Sequence, residues 1–178
     1  MRRRTVITQF LAAAAFPSLL LRATGARAEE SVVTVDLAET IKPLVKAHAE
    51  WKGVVSDASY RVLFEEATER PGSSPLDKNY ADGSYICAAC LLPLFDSSHK
   101  FDSGTGWPSF FTHIPGRIKT KRDFSLIWPR TEYHCARCSG HQGHVFDDGP
   151  QPTGQRFCNN GIALTFVARA DALPALRS

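Results

Sequence analysis

The rhythm of apolar and polar positions changes near residue 84. Before it, Tyr60, Leu63, Phe64 and Ala67 fall at i, i+3, i+4 and i+7, the spacing of one buried helix face. Ser56 and Asp57 stand where an N-cap belongs, and Arg70-Pro71-Gly72-Ser73-Ser74-Pro75 ends the pattern in a loop. The stretch 36–51 is weakly helical, is interrupted by Pro43, and is expected to be peripheral. After residue 84, short apolar runs alternate with clusters of Gly, Pro, Asp and Ser. Segments 84–86, 124–128, 131–134, 144–146 and 162–168 read as short strands, with 163–167 the clearest. The expected fold is mainly β, a small antiparallel core fronted by short N-terminal helices. Residues 170–178 are expected to be a loose cap.

Charge divides the chain differently. Of 21 Lys and Arg residues, five (Arg2, Arg3, Arg4, Arg22, Arg27) lie in residues 1–28, which carry no acid. The remainder has 16 basic and 18 acidic residues, a net of −2, which argues against a nucleic-acid partner. Residues 1–28 read as an export signal: an arginine start, an apolar stretch over 10–21, and small residues at Ala26 and Ala28 before Glu29. The arginines resemble a twin-arginine signal, although Thr5-Val6-Ile7 fits that pattern loosely; a short amphipathic helix or a retained membrane anchor is the competing reading. The apolar stretch is shorter than the roughly 18–20 residues that span a bilayer, so no stable membrane association is expected after removal. The division expected is a signal over 1–28, an extension over 29–55, one domain over 56–169 and a tail over 170–178. The expected location is the bacterial periplasm.

Chemistry concentrates in the five cysteines. Cys87-Ala-Ala-Cys90 and Cys135-Ala-Arg-Cys138 are paired CxxC turns, each able to aim two sulfurs at one ion. Two such turns supply the tetrahedral thiolate set that Zn²⁺ prefers, and four sulfurs leave no open position, so the ion expected is structural. Two disulfides or a redox pair are the alternatives in an exported chain. Cys158 is left over, and is either buried and inert or reactive. Arg156 and Asn160 flank it at two-residue spacing, the same face of an extended strand. Gly140-His141-Gln142-Gly143-His144 adds two histidines, and a nearby cation favours the nucleophilic thiolate. In Gly104-Thr105-Gly106-Trp107-Pro108-Ser109-Phe110, Trp107 offers a flat apolar wall, unless Trp107 and Phe110 only pack the core.

Taken in order, CAAC (87–90), KFDSGTGWPSF (100–110), RTEYHCARCSGHQGHVFDDGPQPTG (130–154) and RFCNNGIALTF (156–166) resemble the methionine sulfoxide reductase B family. The resemblance runs from about Ser56 to Val167. It implies a fold of two small antiparallel sheets and reduction of the R epimer of methionine sulfoxide in oxidised proteins. It implies Cys158 as nucleophile, with His141, His144 and Asn160 around the sulfoxide oxygen and Arg156 beside the thiol. Trp107 and Phe110 are expected at the substrate, and Cys87, Cys90, Cys135 and Cys138 on one structural zinc. Many family members carry a resolving cysteine where this chain has Thr105, so recycling falls to an external, thioredoxin-like or other thiol reductant. Leu91, after the first CxxC, departs from the family pattern and affects local loop shape. A zinc-stapled β binding module and a thiol peptidase using Cys158 and His144 are the competing classes.

Overall fold

The computed structural model describes residues 41–124 and 128–178. The expected export signal, its cleavage site and the first part of the 36–51 stretch lie outside them. Among the described residues one α-helix, α1 (Asp57–Glu65), precedes nine strands: β1 (Gly83–Cys87), β2 (Pro93–Asp96), β3 (Lys100–Phe101), β4 (Ser109–Phe110), β5 (Ile118–Asp123), β6 (Arg130–Cys135), β7 (His141–Phe146), β8 (Arg156–Asn159) and β9 (Leu164–Ala168). They form two antiparallel sheets, one ordered β2-β1-β9, the other β3-β4-β8-β7-β6-β5. The mainly β expectation therefore holds. Among the described residues no helix is long and apolar enough to cross a membrane.

Local chemistry explains the elements. The Ser56 hydroxyl accepts the Ser59 N–H at the start of α1, and Val62 and Leu63 bury the helix face. The helix stops at Glu66, which takes a left-handed φ of 56°, so Ala67 falls outside it. Aromatic rings fill the space around the sheets. Phe95 stacks on Phe110 at 4.2 Å, Tyr85 meets Phe110 edge-on at 5.0 Å, and Tyr133 and Phe157 complete the cluster.

Two expectations are corrected, and one strand was not expected. Most of the strand expected over 124–128 lies outside the described residues, with Phe124 and Trp128 exposed on either side; β5, just before it, was not expected. The sequence IKTKRD hides the strand because it is mostly exposed at the sheet edge, where charge replaces apolar alternation. Trp51, expected in a peripheral extension, is fully buried and stacks on Phe64 at 5.7 Å. The tail is held rather than loose. The Arg177 guanidinium donates to the carbonyls of Ala88 (2.8 Å) and Ala89 (2.9 Å), and the Arg177 N–H donates to the Cys90 carbonyl (3.2 Å).

Trp51 offers a direct check. Its indole N–H is buried without a partner, so its contribution is packing. Trp51→Ala should cost about 3–5 kcal/mol of stability in urea unfolding of the metal-loaded protein, whereas Trp51→Phe keeps a stacked ring and should cost about half as much or less.

Candidate functional site

Two hairpin-like turns bring four cysteines together. Cys87 ends β1 and Cys135 ends β6, so one turn belongs to each sheet. The turns repeat one hydrogen bond: Leu91 N–H to the Cys87 carbonyl at 2.9 Å, and Ser139 N–H to the Cys135 carbonyl at 3.0 Å. Leu91 (φ 64°) and Ser139 (φ 61°) both occupy the left-handed region, a strain of roughly 1–2 kcal/mol each for side chains with a Cβ. The four sulfurs are buried and lie within 4.8 Å of one another. Cys87 and Cys138 Sγ are 3.6 Å apart, and Cys90 and Cys135 Sγ 3.5 Å. A disulfide needs about 2.05 Å. A tetrahedral Zn²⁺ with Zn–S near 2.3 Å places its sulfurs about 3.8 Å apart, so spacing and donor set fit one structural zinc. The neighbouring sulfurs, with burial behind them, push the Cys87 and Cys135 thiols up, so a bound cation is what allows four thiolates to share the space. The Gln142 amide, missed in the sequence, donates to Cys87 Sγ at 3.5 Å.

Cys158 sits elsewhere, on β8 directly opposite His144 of β7. These strands approach so closely that a Cβ at Gly143 would lie 1.9 Å from the Cys158 carbonyl oxygen; only glycine fits. The thiol opens on a pocket of about 220 Å³, also lined by Trp107, His144, Asn160, Arg130 and Phe146. That is small beside the roughly 300–1,000 Å³ of sites for drug-sized ligands, and suits one side chain. His141 is buried outside the lining. Phe110, expected at the substrate, belongs to the core: it is fully buried and stacked on Phe95. The apolar environment that made it a candidate is that of the sheet interior.

The thiol's resting state differs from the sequence expectation. Burial pushes Cys158 up, and the pull of the Arg156 guanidinium and the Thr105 hydroxyl does not overcome it. Arg156 is engaged elsewhere: it pairs with both Asp148 oxygens at 2.8 Å and lies 4.4 Å over the Phe146 ring. Burial likewise pushes His144 down despite Asp123, so its imidazole rests neutral at pH 7. Its Nε2 is 2.8 Å from Asp123 Oδ2, and the Arg130 guanidinium donates to that same oxygen at 2.7 Å. The His141 ring packs on His144 with centroids 5.5 Å apart. Its Nδ1 lies 2.9 Å from Glu132 Oε1, but the approach is not aligned as a hydrogen bond.

Asn160 and Trp107 are both tethered. Asn160 Oδ1 accepts the Glu69 N–H at 3.0 Å, and its amide donates to the Gln142 carbonyl at 3.0 Å. The Trp107 indole N–H donates to the Glu69 carbonyl at 3.2 Å. Sequence reasoning missed Asp123, Arg130, Glu69 and Gln142. Arg130 and Gln142 stand inside segments already singled out; Asp123 and Glu69 act across loops whose closure no spacing reveals.

Residues 55–168 match the SelR domain. The chain is 47% identical to the peptide methionine sulfoxide reductase MsrB of Methanosarcina mazei over 127 residues, 71% of this chain and 91% of that protein. It is 47% identical to the protein of that name from Thiobacillus denitrificans over 122 residues, 68% and 92% of the two chains. To the chloroplastic peptide methionine sulfoxide reductase B1 of Arabidopsis thaliana it is 49% identical over 120 residues, 67% and 59% of the two.

Two outcomes are expected. Metal analysis should find one zinc per chain, and Cys90→Ser should lose the metal together with the folded near-ultraviolet circular dichroism, since structural zinc supplies about 10–16 kcal/mol against a total stability of about 5–15. Alkylation of Cys158 should accelerate with rising pH, with its midpoint above that of a free thiol. The sign follows from burial: a raised pKa moves the appearance of thiolate to higher pH.

Proposed function

We propose, for a chain that belongs to the methionine sulfoxide reductase B family, that the pocket at Cys158 is where a methionine-R-sulfoxide side chain is reduced to methionine. The chain is a peptide methionine (R)-sulfoxide reductase, acting on protein-bound methionine sulfoxide with a thiol as reductant. One observation carries the assignment of the site: the single cysteine outside the zinc cluster opens on a pocket between an indole wall and a neutral histidine.

The chemistry follows from the surroundings. A sulfoxide sulfur accepts a nucleophile as its oxygen takes up a proton. The Cys158 thiol gives its proton to His144, which faces it across the strand pair, and the thiolate attacks the sulfur. His144 then returns that proton to the oxygen. Asp123 holds the imidazole and steadies its transient positive charge, while Arg130 holds Asp123. The substrate S–O bond breaks and the oxygen ends on Cys158. Methionine leaves, reduced by two electrons, and Cys158 becomes a sulfenic acid, oxidised by two. Trp107 shelters the substrate methyl and selects the epimer by shape. One external thiol displaces water from the sulfenic acid to give a mixed disulfide; a second regenerates Cys158 and departs as the oxidised pair. Zinc, when bound, supplies a cross-link between the sheets.

Thr105 lies within hydrogen-bonding reach of Cys158 where a second thiol would serve an internal recycling step, which supports an external, thioredoxin-like reductant. The arginine-led apolar leader over 1–28 supports export to the periplasm, where the enzyme would repair proteins under oxidative stress. The small volume of the pocket, about 220 Å³, favours a reductase over the thiol-peptidase reading, since a peptidase needs a cleft for extended backbone.

Cys158→Ser should abolish turnover with dithiothreitol while leaving the zinc content unchanged. Single turnover without reductant should give one methionine and one dimedone-reactive sulfenic acid per chain, with no intramolecular disulfide by mass spectrometry.

A further inference from the structure

Glu69 lies outside the chemistry just derived, yet it touches two residues that form the pocket. Its backbone carbonyl accepts the Trp107 indole N–H at 3.2 Å, and its backbone N–H donates to Asn160 Oδ1 at 3.0 Å. Its side chain fastens that backbone in place. Glu69 Oε1 accepts the Gly161 N–H at 2.6 Å and Oε2 accepts the Ile162 N–H at 3.0 Å, the two residues that follow Asn160. One residue thus makes four hydrogen bonds, spanning 38 positions to Trp107 and 91 to 93 positions to the chain at Asn160. A half-buried carboxylate is costly in so apolar a setting, and burial pushes its pKa up; the two N–H groups offset this.

We propose that Glu69 is a positioning residue for substrate selection: its carboxylate, pinned by Gly161 and Ile162, holds the loop whose backbone sets the Trp107 ring and the Asn160 amide at the pocket of Cys158. The inference rests on the reading of that pocket as the sulfoxide site. Three anchoring points make the arrangement stiff. The ring cannot swing without losing its bond to the Glu69 carbonyl, and that carbonyl cannot move without pulling the carboxylate from both N–H groups. Shape selection between epimers needs such stiffness, because the two differ only in which side of sulfur carries methyl and which carries oxygen. Glu69 also separates selection from reactivity. None of its four bonds goes to Cys158, His144 or Asp123, so the reactivity of the thiol can be read separately from selection.

The test uses zinc-loaded protein and a peptide carrying one methionine sulfoxide, supplied as separate R and S epimers, with dithiothreitol. Glu69→Ala and Glu69→Gln should lower kcat/KM for the R epimer by about ten- to a hundredfold, the scale of a 1 Å misplacement, and lower the R-to-S preference with it. Iodoacetamide alkylation of Cys158 and zinc content should stay at wild-type values, and Glu69→Asp should recover part of the loss. The Trp107 indole and Asn160 side-chain amide resonances, assigned from Trp107→Phe and Asn160→Asp, should shift in the Glu69 variants. Wild-type kcat/KM and epimer preference in the variants overturn the proposal. So does a loss of rate that tracks zinc release or a lower unfolding temperature with the epimer preference unchanged. If Glu69→Ala does not fold, Glu69→Gln, which keeps one acceptor, decides by the same ratio. Wild-type protein that reduces neither epimer refutes the reductase reading instead, and the two resonances then decide whether Glu69 positions the ring and the amide.

Discussion

Four thiolates that repel one another are the constraint on which this structure turns. Cys87 and Cys90 belong to the end of the three-stranded sheet, Cys135 and Cys138 to the six-stranded one, so neutralising their charge with one cation fastens the sheets together. The fold then builds outward. Gln142, which donates to Cys87 Sγ, also accepts the Asn160 N–H at 2.8 Å on its carbonyl, and its side-chain oxygen lies 3.5 Å from the Asn159 amide. A short run of hydrogen bonds thereby joins the metal cluster to the floor of the pocket. The hydrogen bonds at the pocket thus continue into the four-cysteine cluster that would hold the zinc.

At the pocket itself burial outweighs charge. Arg156 is close enough to pull the thiol down, but Asp148 shares its charge and the surrounding apolar rings raise the cost of a thiolate. The same burial keeps His144 uncharged. In the proposed cycle, one proton transfer from this thiol to this imidazole makes both nucleophile and acid. On that reading the site is quiet when empty and becomes reactive once a sulfoxide is there to receive the proton.

Much of this was legible in the residues because the relevant signals were local. The CxxC pairs announced the zinc cluster, and the apolar run at 163–167 announced β9. What escaped was non-local or disguised. β5 carries Lys119, Lys121 and Arg122 on an exposed edge, so its alternation is electrostatic rather than apolar. Trp51 looked peripheral because Pro43 broke the helical pattern before it, whereas a single 3₁₀ turn, His48–Trp51, is enough to carry one large ring inward. Phe110 and Trp107 lie three residues apart in one motif; one turned into the core and the other to the pocket, a choice made by pairing of β4 with β8. Asp123 reaches His144 only because the β5–β6 hairpin folds back, and Glu69 reaches Asn160 across 91 positions.

The hydroxyl of Thr105 beside Cys158 has a consequence for how long the protein survives among oxidants. With no second sulfur at hand, the sulfenic acid of the proposed cycle would persist until a reductant diffuses in, and every such interval would be a race against peroxide. Losing that race yields sulfinic acid, which common thiols do not reverse. On the proposed cycle, the lifetime of each molecule would then be set by how quickly its surroundings deliver electrons.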